Sequence, residues 1–110
     1  MPEETLTLPL ADCAAGTLQA HTIAGREIVV CATKDGVFAL DNICTHAFAR
    51  LNEGRLRGTR LICPLHGAGF DVRDGRALGA PASRPLTTHR VHTVEDRVEI
   101  TVSTPATSAP

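Results

Sequence analysis

The chain reads as an all-β protein: an antiparallel β-sandwich or small barrel interrupted by one long, loop-rich insertion. Three observations point there. The core must be built mostly from Val, Leu, Ile and Ala, because the 43% apolar residues include only three aromatics, Phe38, Phe48 and Phe70, and β-branched residues favour strands. The apolar runs are short and punctuated by turn residues. Between Asn42 and about Ala82 regular patterning stops, and glycines recur at 54, 58, 67, 69, 75 and 79, as expected of loops folded tightly around something.

Taken in order, Thr5-Leu6-Thr7-Leu8 alternates polar and apolar residues and gives a first strand ending at Pro9. Asp12 to Gly16 makes a turn or a short helical turn. Leu18 to Ile23 forms a second strand, and Ala24-Gly25 turns the chain. Arg26 to Ala32 contains the unbroken apolar run Ile28-Val29-Val30-Cys31, a buried strand. Asp35-Gly36 is the hairpin turn from which Val37 to Leu40 returns. Inside the insertion, Asp74-Gly75 joins Phe70-Asp71-Val72 to Arg76-Ala77-Leu78 as another hairpin. After Pro81 and Pro85, Leu86 to Val91 and Val98 to Val102 form a last antiparallel pair. Ser103 to Pro110 is small, polar and Pro-containing, and is expected to be disordered. At 110 residues one domain is expected, over residues 1–102, with a subdomain at about 42–82 and a flexible tail at 103–110.

Net charge is −1 but unevenly spread. Between Arg50 and Arg90 eight arginines face three acids, a balance of +5; elsewhere nine acids face Arg26, Lys34 and Arg97, a balance of −6. A mixed solvated exterior accounts for this, and so does a basic face that meets an acidic partner. Nucleic-acid readers add stacking aromatics or a basic pI, and this chain has neither. No apolar run reaches the length of a membrane span, and the N-terminus lacks an export pattern, so the expected address is the cytoplasm. In that reducing compartment Cys beside His reads first as metal chemistry rather than as disulfides.

The decisive motif is Cys44-Thr45-His46, sixteen intervening residues, then Cys63-Pro64-Leu65-His66. Two close Cys-His pairs supply four soft or borderline ligands from two loops. In a 2Fe-2S centre of mixed ligation one iron takes two thiolates and the other two imidazoles, so each loop would give one ligand to each iron. Zinc is the competing metal. Its structural sites pair Cys with Cys and His with His at other spacings, which fits this pattern poorly.

From Cys44 to Gly67, followed by Phe70-Asp71, Gly75 and Pro81, the chain resembles the Rieske ferredoxins of bacterial multicomponent aromatic-ring dioxygenases. The resemblance runs from Leu6 to about Val102 and includes Gly25-Arg26-Glu27, Asp35-Gly36, the approach Asp41-x-x-Cys44, and Pro85-Leu86. It implies the Rieske (ISP-like) fold and one Rieske-type 2Fe-2S cluster on Cys44, His46, Cys63 and His66. It also implies a monomeric electron carrier, not itself an enzyme, that passes single electrons from a flavin-containing ferredoxin reductase to a terminal oxygenase. Neither nucleic acid nor membrane is an expected partner.

Two departures from high-potential respiratory relatives carry a consequence. Those proteins join the loops by a disulfide, where this chain has Ala49 and Leu65. They also donate hydroxyl hydrogen bonds to sulfur, where this chain has Ala68 and Phe70. Such bonds stabilise the reduced cluster, so a low potential is expected, roughly −150 mV rather than +300 mV. Gly67 and Gly69 either form turns or let backbone N–H groups approach sulfur. Pro81 resembles the family's third, covering loop. Phe48 is core or part of an apolar docking patch, and Ala47 stands where many relatives have glycine. Arg50, Arg55, Arg57 and Arg73 are candidates to dock an acidic partner face.

Other thiols and imidazoles read as structural: Cys31 as a core thiol, Cys13 as a turn residue, and His21, His89 and His92 as strand or surface residues. Independent oxygenase catalysis would need a second domain with a non-haem iron, for which the chain has no room. The small subunit of an assimilatory nitrite reductase, which shares the fold but often lacks the ligands, is the alternative function.

Overall fold

The run Ile28-Val29-Val30-Cys31 organises the molecule, because its residues are sent alternately to two cores. The computed structural model describes residues 3–45, 49–65, 67–79 and 84–103. Its strands are β1 (Glu3–Pro9), β2 (Leu18–Ile23), β3 (Arg26–Thr33), β4 (Gly36–Asp41), β5 (Arg55–Arg57), β6 (Arg60–Ile62), β7 (Gly69–Asp71), β8 (Thr88–Val94) and β9 (Arg97–Ser103). Six of them form an antiparallel sheet in the order β1-β9-β8-β4-β3-β2. The end strands β1 and β2 meet, and Glu4 accepts the Ala24 N–H at 3.0 Å, so the sheet curls into a near-barrel.

Inside the barrel Ile28, Val30 and Ala32 of β3 pack with Leu8, Ile23, Ala39, Val98, Ile100 and Val102. Val29 and Cys31, facing the other way, pack with Leu40, Leu51, Leu61, Phe70, Val72 and Leu86 beneath the insertion. A strand covered on both sides has no polar face to alternate with, hence its unbroken apolar run. The Cys31 thiol is fully buried, as the sequence suggests, and desolvation pushes its pKa up to about 12.

The all-β expectation holds, with local differences. The β3–β4 hairpin turns on Lys34-Asp35, because Thr33 pairs with Gly36; Gly36, at φ +135°, is the first residue of β4 rather than part of the turn. The final pair is β8 from Thr88 to Val94 and β9 from Arg97 to Ser103, so the last hairpin starts and ends later than periodicity suggests. Ser103 still pairs with Glu3, while residues 104–110 lie outside the described residues. Within the insertion, the expected Asp74-Gly75 hairpin is present through the Phe70–Ala77 bridge and the Asp71 N–H to Arg76 O bond of 2.9 Å. The second sheet, β5-β6-β7, is not expected from the pattern, apart from Phe70-Asp71 of β7, which belongs to the expected hairpin. Its strands are three residues each, too short for a period of two to register.

The insertion leaves the barrel at the end of β4 and returns at the start of β8, which are neighbours. Only Ala39–His89 and Leu40–Thr88 pair there. A side-chain strap reinforces this short seam: His89 Nε2 lies 2.8 Å from Asp41 Oδ1, while Arg26 donates to both oxygens of Asp41 at 3.3 and 2.7 Å. Burial works to raise the Asp41 pKa, but His89 and Arg26 outweigh it and hold the carboxyl below its usual range. His89 is therefore a largely buried structural residue, only 6% exposed, and not a surface one.

Candidate metal centre

Cys44 and Cys63 stand at matched positions of two loops. The Cys44 N–H donates to Ala49 O at 3.0 Å, and the Cys63 N–H donates to Ala68 O at 2.7 Å. Each cysteine thus closes a loop that returns to an alanine five residues on. The chain fixes the foot of each loop separately. For the first, Asn42 is 1% exposed and all its polar groups are engaged. Its backbone N–H reaches Glu27 O at 2.9 Å and its carbonyl accepts the Leu51 N–H at 2.7 Å. Its side-chain amide donates to Asn52 Oδ1 at 2.8 Å and accepts the Asn52 N–H at 2.9 Å. For the second, β6 runs directly into Cys63, with Ile62 paired to Gly69 across the loop.

Both cysteines are buried in the same core as Leu61, Ala68 and Phe70, and the Cys44 thiol is close enough to bear on that of Cys63. Burial pushes the Cys63 thiol pKa up; the Leu65 N–H, 3.4 Å from the sulfur, opposes this, and the neighbouring Cys44 thiol reinforces it. Two adjacent buried thiols are poor nucleophiles but good soft-metal donors, since a metal ion can displace the protons. Among the described residues no third His, Cys, Asp or Glu converges on them. His46 and His66 lie outside the described residues, as do Ala47, Phe48 and Pro81. The donor set fits a bimetallic sulfide cluster at its thiolate end: two sulfurs at one point, each at the start of its own loop, with a backbone N–H already directed at one of them.

The four positions at which this chain departs from high-potential relatives are all among the described residues. Ala68 and Phe70 are fully buried beside the cysteines and offer no hydroxyl. Ala49 is buried while Leu65 is 47% exposed, so nothing covalent ties one loop to the other at these positions. Gly67 has φ +71°, as a turn former requires, whereas Gly69 sits in β7; the N–H that reaches the Cys63 sulfur is that of Leu65. Thr45 donates to Arg84 O at 2.8 Å, and Arg84 returns a bond of 3.3 Å to Thr45 O, tying the segment before β8 onto the first loop.

Two side chains that hold the subdomain escaped notice as anchors in the sequence. Asn42 reads there only as the start of the irregular stretch. Asp71 is 4% exposed, caps the turn by accepting the Arg73 N–H at 3.0 Å, and binds the Arg73 guanidinium at 3.0 and 2.8 Å. The Arg73 side chain holds the Asp71 carboxyl down at a pKa of about 2. An acid or amide at the edge of a loop run is the only signal either gives in sequence.

Comparison with known proteins agrees with this geometry. The profile of the Rieske [2Fe-2S] domain matches residues 4–94. The ferredoxin component of the naphthalene 1,2-dioxygenase system of Pseudomonas putida is 37% identical over 94 residues, covering 86% of this chain and 90% of that protein. The ferredoxin in the solved complex of reduced oxygenase and oxidised ferredoxin of carbazole 1,9a-dioxygenase superposes with a TM-score of 0.82 at 31% identity, over 87% of this chain and 91% of that one. A Mycobacterium tuberculosis protein described as an NADH-dependent nitrite reductase small subunit has a TM-score of 0.76 over 94% of this chain and 98% of its own, but at 20% identity this is a likeness of fold alone. No helix among the described residues is long and apolar enough to cross a membrane. This chain belongs to the Rieske [2Fe-2S] domain family and, within it, to the ferredoxin components of aromatic dioxygenase systems.

Proposed function

We propose that this chain carries single electrons on one Rieske-type 2Fe-2S cluster, from a flavin-containing reductase to the terminal oxygenase of an aromatic-ring dioxygenase system. Cys44 and Cys63 would hold one iron, and His46 and His66 the other. The observation that carries the reading is the meeting of two buried thiols at the feet of two matched loops, each with a histidine two or three residues further on. When bound, the cluster supplies the one-electron couple. The chain's own groups place the sulfurs, exclude water from them through Leu61, Ala68 and Phe70, and direct the Leu65 N–H at the Cys63 sulfur. The functions named for the relatives, ferredoxin components of dioxygenase systems and a ferredoxin in complex with its oxygenase, support the assignment of partners.

The test is spectroscopic. Purified protein is expected to contain two irons and two sulfides per chain, the stoichiometry of one 2Fe-2S cluster. It is also expected to show a Rieske EPR spectrum on reduction, lost when His46 and His66 are changed to Cys. A single metal atom per chain, or zinc, would overturn the reading. The absence of hydroxyls at Ala68 and Phe70 predicts a midpoint near the bottom of the Rieske range, at about −150 mV. Phe70→Tyr is expected to raise that midpoint. A clearly positive midpoint in the unaltered protein would contradict the hydrogen-bond argument while leaving the cluster assignment standing.

A further inference from the structure

The outer face of the small sheet carries charge that the molecule does not neutralise itself. Across β5, β6 and β7 the row Leu56–Leu61–Phe70 faces the core, so Arg55 and Arg57 of β5 and Arg60 of β6, in the rows on either side, point away from it, while Gly69 and Asp71 at the β7 end of those rows are buried. Arg57 and Arg60 are direct cross-strand partners. Like charges placed so, about 5 Å apart at Cβ, repel each other. Arg55 stands on the same side, about 7 Å along β5 from Arg57.

The one acid in these rows, Asp71, is already committed to Arg73 at 2.8 Å and Arg76 at 3.4 Å, with Asp74 adding a 3.8 Å contact to Arg76. Arg26, Arg50, Arg90 and Arg97 each hold a carboxylate as well. Among the described residues, Arg55, Arg57 and Arg60 are exposed and form no ion pair. Three arginines held together against their mutual repulsion, without an internal counter-charge, are matched to carboxylates from outside the molecule.

We propose that this outward face of β5 and β6 docks an acidic protein surface. This deepens, and rests on, the reading of the chain as an electron carrier, the acidic surface being that of an electron-transfer partner. Its task is encounter rather than the electron step. Cys63 lies three residues beyond Arg60, about 10 Å along extended chain, so a partner drawn here arrives near Cys63. Of the arginines suggested by sequence, Arg55 and Arg57 serve. Arg50 and Arg73 are occupied by Glu27 and Asp71, and Arg60 joins in their place.

The chemistry favours protein over the other polyanions. A nucleic-acid site would add stacking aromatics, but Phe70 is fully buried on the opposite face and Phe38 lies against the same core. The acidic remainder of the chain, at −6, repels an extended phosphate polymer. Among the described residues, the large exposed apolar side chains, Leu10 and Leu65, lie in neither of these rows and give no lipid-inserting edge here.

The test titrates the isotope-labelled full chain with a glutamate-rich peptide, followed by amide shifts. R55Q/R57Q/R60Q is compared with the charge-matched K34Q/R90Q/R97Q. Shifts confined to β5 and β6 are expected, with affinity about ten-fold lower in the first variant and nearly unchanged in the second. The single change R57Q separates docking from structure. Relief of repulsion should leave the protein equally or more heat-stable while peptide binding weakens, whereas a structural arginine would lose stability. Equal loss in both triple variants, shifts elsewhere, or tighter binding of a single-stranded oligonucleotide or of phosphatidylserine vesicles would overturn the proposal. Because the titration involves no electron transfer, a missing Rieske spectrum with localised binding would sink the carrier reading, and with it the identity of the partner, but not the acid-binding face, whereas an intact spectrum without localised binding would sink the docking face alone.

Discussion

The barrel and the insertion are held together by different kinds of interaction. In the barrel, β1 and β9 pair over seven residues, β2 and β3 over six, and β3 and β4 over six. These ladders enclose a core in which each side chain touches several others, so no single contact decides the fold. In the insertion the strands are three residues long, and their positions depend on individual groups: the Asn42 amide, the Asp71 carboxylate, and two glycines where backbones nearly touch. A Cβ on Gly54 would stand 1.9 Å from Ile62 O, and one on Gly75 2.2 Å from Leu86 O. The redundant half is a support, and the half made of single fixings positions the candidate ligands. Substitutions should therefore cost little in one and much in the other.

The sharpest way to break that contrast is Cys44→Ser or Cys63→Ser. Each is expected to abolish the iron and sulfide content and the Rieske spectrum, since a thiolate is lost from the proposed cluster, while circular dichroism retains the barrel strands. Collapse of the whole β signal would show that the barrel is not independent. Next is Gly75→Ala. The added methyl meets backbone rather than a yielding side chain, and φ is +80° there, so a loss of about 3 kcal/mol in denaturant unfolding is expected. Asn42→Ala follows at about 2 kcal/mol, because it leaves the Asn52 N–H and amide oxygen without their bonds in a partly buried setting. Faster iron loss should accompany it, whereas an equally stable variant with unchanged iron retention would remove Asn42 from the account.

The same contrast explains what the sequence could and could not tell. Strands β1, β2 and β3 were legible because burial on one or both faces writes a pattern over six to eight residues. The cysteines proposed as ligands were legible because metal chemistry restricts residue type and spacing. The small sheet was hidden: Arg55-Leu56-Arg57 and Arg60-Leu61-Ile62 are too short to display a period, and Arg is common in loops. His89 looked like any strand histidine, since its partner Asp41 is forty-eight residues away and is brought to it only by the β4–β8 seam. The hairpin at Asp35-Gly36 was misplaced by one residue because Asp-Gly scores as a turn, whereas register is set by how β3 and β4 pair.

Acid should reach the insertion before the barrel. The Asp71 carboxyl is held at about 2, chiefly by the Arg73 side chain, below its ordinary value of 3.8. A depressed carboxyl stabilises the folded state fully above its unfolded pKa and loses that contribution as pH falls from about 4 through 2. In that window Asp71→Asn should flatten the pH dependence of unfolding, with a change of about 1 kcal/mol at neutral pH because Arg73 and Arg76 are solvent-exposed and screened. An unchanged acid limb would move the acid sensitivity elsewhere, with Asp41 the next carboxyl to test.

The smallest effect belongs to the barrel. Thr5 and Thr101 are cross-strand partners on its exposed side, with hydroxyls 3.1 Å apart. Removing one hydroxyl leaves the other to water, and the β1–β9 ladder continues for two pairs on one side of this contact and four on the other. Thr5→Ala is thus expected to cost about 0.5 kcal/mol or less, with no effect on midpoint potential or iron content. A loss as large as that of Asn42→Ala, or any shift in the EPR spectrum, would mean that the barrel is not the redundant half and that strain at its outer edge reaches the cysteine loops through β9, β8 and the Asp41–His89 strap.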